Sequence, residues 1–146
     1  MTDRLVKTYL IASVALLTGC SSGAQQSANT EAGGYADQNL VSDLKERLPA
    51  AASVSERVAA ATQLLSNEPD ALTPHPHFAW EAGTAHDNGI PIVVYYLRHE
   101  ALFEDARWGR ACRDLLLTAN DVTTKVVDCP DGASDTPGPN AVTWLR

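Results

Sequence analysis

Eight consecutive residues, Ile90 to Leu97 (IPIVVYYL), are almost all β-branched or aromatic and include no charged or amide side chain. Such a run is a strand that needs cover on both faces, so the chain has to build layers around it. Pro91 is compatible with this because a residue at the start of a strand need not donate to the ladder. Asp87-Asn88-Gly89 supplies turn chemistry just before the run, and Phe78 to Glu81 offers a short preceding strand.

Helical spacing flanks this centre. Leu40, Val41, Leu44 and Leu48 share one face until Pro49 ends the pattern. Ser53-Val54-Ser55-Glu56 has the form of a capping box, after which Val54, Val58, Ala61 and Leu65 line a second helix. Asn67 to Pro76, with three prolines, reads as an exposed connector. From Glu100 to Thr118, the residues Leu102, Ala106, Gly109, Cys112 and Leu116 fall on one helical stripe, beside Trp108 and Leu115. Glu100, Glu104 and Asp105 precede Arg107, Arg110 and Arg113, the order that complements a helix dipole, so a third helix is predicted here. Val122 to Val127 and Ala141 to Leu145 read as strands separated by a turn-rich loop. Strand, helix, strand with short joints implies a right-handed parallel βαβ unit. The expected fold is therefore a small α/β or α+β domain: helices packed on a three- or four-stranded sheet.

The N-terminus is of another kind. Arg4 and Lys7 precede an apolar run from Tyr9 to Leu17, too short to span a bilayer and the right length for a signal-peptide core. It ends in Leu17-Thr18-Gly19-Cys20, followed by Ser-Ser-Gly. This arrangement resembles the lipobox of bacterial lipoproteins. The resemblance covers Met1 to about Ser22 and implies that residues 1–19 are a cleaved signal peptide. It also implies that the Cys20 thiol takes a diacylglycerol and that the acylated Cys20 (palmitate-type anchoring) becomes residue one. The implied location is the extracytoplasmic face of the cell membrane, or the outer membrane in a cell with two. Ser21 to Asp37 is Ser, Gly, Gln, Asn and Ala with little aliphatic bulk, so residues 20–37 are expected to be a flexible, disordered tether reaching roughly 20–25 Å. Residues 38–146 would then form one globular domain.

With Cys20 lipidated, Cys112 and Cys129 remain, and outside the cytoplasm a structural disulfide between them is the expectation. The chain has 11 basic and 18 acidic residues and a net charge of -7, which excludes nucleic acid as an electrostatic partner. The expected partners are the bilayer and an envelope protein.

Candidate chemistry is sparse. His75, His77, His86 and Asp87 place imidazoles and a carboxylate in one stretch, a set that could hold zinc or copper, although no metal-binding spacing is present and no cofactor is expected. Tyr96, Arg98 and His99 sit where the central strand should give way to a helix, a position at which open α/β sheets bind small ligands. Asp128, Asp131 and Asp135 lack the spacing of a calcium loop. Hydrolase elbows, phosphate loops and dinucleotide fingerprints are missing from the sequence. The leading expectation is a non-enzymatic binding or interaction module of the envelope. The alternative is an accessory domain that binds a metal or small ligand through the His75 to His86 stretch.

Overall fold

The computed structural model describes residues 19–50, 52–99, 106–132 and 134–144. Five strands, β1 (Phe78–Ala82), β2 (Gly89–His99), β3 (Ala106–Leu117), β4 (Val122–Val126) and β5 (Val142–Trp144), form a sheet in the order β4-β3-β2-β1-β5. The Ile90 to Leu97 run lies in its middle strand, as the side chains demand. Every neighbouring pair is antiparallel. The fold is therefore α+β, with more strands than expected.

The predicted third helix and its βαβ crossover are corrected by this register. The part of that segment within the described residues, from Ala106 onward, is a strand paired with β2 from His99↔Ala106 to Gly89↔Leu116. Its side chains fit period 2 as well as period 3.6. Gly109, Ala111, Leu115 and Leu117 are buried, and they alternate along the strand with the exception of Arg113. The arginines find partners on both faces, Arg113 with Asp37 at 2.9 Å and Arg110 with the Ser134 carbonyl at 3.0 Å. An extended pairing partner in β2 resolves the ambiguity that local spacing leaves.

Helix α1 (Gly19–Gly34) continues through a π-helical turn at Tyr35–Leu40 into α2 (Val41–Arg47), with helical backbone angles at both joints. This corrects the expected disordered tether over residues 21–37. Ala28, Ala32 and Ala36 are fully buried at intervals of four, so small side chains let the helix press directly on the sheet. A Cβ on Gly109 would run into the backbone of Ala28. The amides add a second hold: Gln25 Nε2 donates to the Trp108 carbonyl at 2.9 Å, and Asn29 Oδ1 accepts from the Arg110 N–H at 2.9 Å. These groups lie where β3 extends past the end of β4, so the helix covers an edge that would otherwise invite strand addition.

Helix α3 (Val54–Ser66) begins at the predicted capping box. Ser53 Oγ accepts from the Glu56 N–H at 3.2 Å, and Glu56 Oε2 accepts from the Ser53 N–H at 2.7 Å. With α1 and α2 it covers one face of the sheet. The core there joins Tyr35, Leu40, Leu44, Val58, Ala61 and Leu65 to Trp80, Ile90, Ile92, Val94, Leu115 and Leu117. Trp80 is fully buried, and its indole N–H donates to the Leu65 carbonyl at 3.1 Å.

A strap covers the opposite face. β4 and β5 are the two edges of the sheet, so the chain between them, residues 127–141, crosses four strand spacings, or about 19 Å. It is fastened by the Cys112–Cys129 disulfide, by Arg110 to Ser134 and Asp135, and by the Gly138 N–H donating to Glu81 Oε1 at 2.6 Å. Tyr95 and Ala79 beneath it are buried.

Candidate functional site

Cys20 lies in α1, and residues 1–18 of the predicted signal peptide 1–19 lie outside the described residues. Eight residues further, Ala28 is packed on β3, an axial distance of about 12 Å in a helix. The sheet thus starts close to Cys20. No helix among the described residues is long and apolar enough to cross a membrane.

The four residues weighed as a metal set are not brought together. His75 and His77 precede β1, whereas His86 and Asp87 follow it, so a five-residue strand of about 17 Å separates the two pairs. His75 lies 3.4 Å from the Asn39 side-chain amide and makes an edge contact with the Tyr35 ring. His77 adopts φ 73°, and its carbonyl accepts from the Leu97 N–H at 2.7 Å, which fixes the entry to β1. His86 instead faces the sheet, with Nε2 2.8 Å from Asp114 Oδ2. This pair lies directly over Gly89, where a Cβ would strike the imidazole. Among the described residues, no cluster of three or more His, Cys, Asp or Glu side chains is placed to hold a metal ion.

Tyr96, Arg98 and His99 lie in β2, paired with Gly109, Arg107 and Ala106 of β3, and the expected helix start at residues 100–105 lies outside the described residues. Tyr96 packs on Phe78, ring centroids 4.9 Å apart, and Arg98 is opposite Arg107. Asp128, Asp131 and Asp135 belong to the strap. Burial, together with the nearby Glu81 and Asp135 carboxylates, raises the Tyr95 phenol, against a smaller opposing pull from Arg110. At the helix face, burial tends to raise the Asp37 carboxyl, yet hydrogen bonds from Arg113 and Thr124 and the Arg113 charge bring it below its usual value.

A third feature escaped the sequence reading. A hollow of about 280 Å³ lies between the α2–α3 junction and the β3–β4 turn, lined by Lys45, Leu48, Ala50, Arg57, Ala119 and Asn120. Arg57 is only 4% exposed, and its Nη1 donates to the Pro49 carbonyl at 3.0 Å. Lys45 Nζ meets Asp121 at 2.9 Å on the rim. The signal was an arginine three residues after Val54 and beside Val58, inside the apolar stripe of α3.

The α+β fold is thus defined, but kinship is not. No family model matches the chain, nor does a curated protein or a solved structure.

Proposed function

We propose that this chain is a lipid-anchored bacterial lipoprotein whose domain is a non-enzymatic binding module of the cell envelope. The observation that carries the reading is Leu17-Thr18-Gly19-Cys20 at the end of a nine-residue apolar run that follows Arg4 and Lys7. The Cys112–Cys129 disulfide supports it, since such bonds persist outside the reducing cytoplasm. Because α1 already includes Cys20, an anchor there would be joined to the sheet by a helix rather than by a coil. Two acyl chains give stable anchoring where one gives only reversible binding.

The test is expression in a bacterium fed an alkyne-tagged fatty acid. The expected result is a labelled, membrane-bound protein whose mature N-terminus is Cys20, with label and membrane retention both lost in Cys20→Ala. A membrane-free or unlabelled parent protein would refute the anchor. Cross-linking in the same cells then seeks the module's partner.

A further inference from the structure

We propose that the hollow between α2, α3 and the β3–β4 turn binds a small oxyanion, a carboxylate or phosphate group, through Arg57 and Lys45. The inference stands on the hollow alone and holds with or without the lipid anchor.

A buried charge is ordinarily paired, because taking it out of water costs several kcal/mol. Arg57 departs from that rule. Its Nε is buried without a hydrogen-bond partner, and among the described residues no carboxylate makes an ion pair with it. The Pro49 carbonyl takes one of its five N–H groups, and the only compensation for the charge that the neighbouring residues show is a weak, longer-range pull on Asp121. Buried Leu48 lies beside Arg57 in the floor of the hollow, while Ala50, Ala119 and Asn120 form an exposed rim through which an anion can enter.

Lys45 brings the second charge from the last turn of α2. It is half-exposed and held to Asp121, a contact easily exchanged in water. The Asp121 carboxyl is held below its ordinary value by the Lys45 hydrogen bond first, then by the Val122 amide, with smaller pulls from the charges of Lys45 and Arg57. Asp121 therefore feels both cations and competes with any incoming anion for Lys45. The N-terminus of α3 adds nothing, since Ser53 and Glu56 already fill it. At ~30 Å³ per water molecule, the volume holds about nine waters, ample room for a carboxylate or phosphate group with its hydration.

The experiment titrates the disulfide-bonded chain from Cys20 to Arg146 with sodium phosphate and, separately, sodium acetate, at constant ionic strength maintained with chloride. The readouts are the Arg57 Nε–H and the Ala119 and Asn120 backbone amide resonances. Saturable shifts confined to these groups are expected. Phosphate alone saturating identifies a phosphoryl ligand, and acetate saturating as well or instead identifies a carboxylate. Lys45→Gln should weaken binding, and Asp121→Asn should tighten it, each by roughly threefold to tenfold, the worth of one partly screened charge. Both positions are half-exposed, and the amide introduced by Asp121→Asn keeps an oxygen for the Val122 N–H, so unchanged spectra elsewhere verify the fold. Shifts that do not saturate overturn the proposal, as does either variant binding as tightly as the parent chain.

Discussion

The two faces of the sheet are covered in different ways. On one, three helical segments bury a continuous apolar core from Tyr35 to Val122, with Trp80, Leu44 and Leu65 fully enclosed. On the other, residues 127–141 lie across the strands and are held by one covalent bond and a few polar contacts. Cover by helices spreads stability over many contacts, each modest. Cover by a strap concentrates it in a few fastenings, so losing one should expose a whole face.

The largest effect is expected on the helix face. Trp80→Ala should remove about 3–5 kcal/mol, as large aromatic truncations in cores do. Chemical denaturation would show this, and a loss below about 1 kcal/mol would mean the helices do not depend on that side chain. Removing Cys112 and Cys129 together, as Cys112→Ala with Cys129→Ala, comes next at about 3 kcal/mol in the chain-entropy model. The contrast between the faces is sharpest here. Hydrogen exchange should accelerate at the Gly138 N–H, while the Asn67 N–H at the end of α3 keeps its protection relative to global unfolding. Equal loss of protection at both would make the two faces one cooperative unit.

The smallest effect is one of pH. The Asp37 carboxyl is depressed in the folded chain, so its contribution is present above the unfolded carboxylate value and disappears as pH falls through the folded one. Parent stability should therefore fall more steeply than that of Asp37→Asn on acidification below about pH 4. Parallel stability curves for the two chains would remove Asp37 and Arg113 from the forces that hold the π-helical turn after α1 to the sheet.

What could be read in advance follows the range of each interaction. The Ser53–Glu56 box lies within four residues, and the apolar Ile90 to Leu97 run marks its own place in the middle of the sheet, so both appear as expected. The β3 segment offered a helix stripe and a strand alternation of similar quality. Its pairing with β2 decides between them. Gln25 and Asn29 lie 83 and 81 residues from the backbone groups they satisfy, and nothing adjacent in the chain signals that use. Their polarity therefore read as a solvated coil. For the histidines, proximity along the chain is not proximity in space, because β1 runs between the two pairs.

By itself, then, the sequence determined a central strand needing two covers, a capped helix and cysteines available for a staple. Local chemistry suffices for those features because backbone preference, capping and burial are properties of neighbouring residues. Only the tertiary structure decided that one cover is helical over Gly19–Gly34 and the other a strap. It also decided that β3 is extended and that Arg57 stands buried beside a hollow. Each of these depends on a partner far along the chain, and long-range pairing overrides local propensity wherever the local signal is balanced.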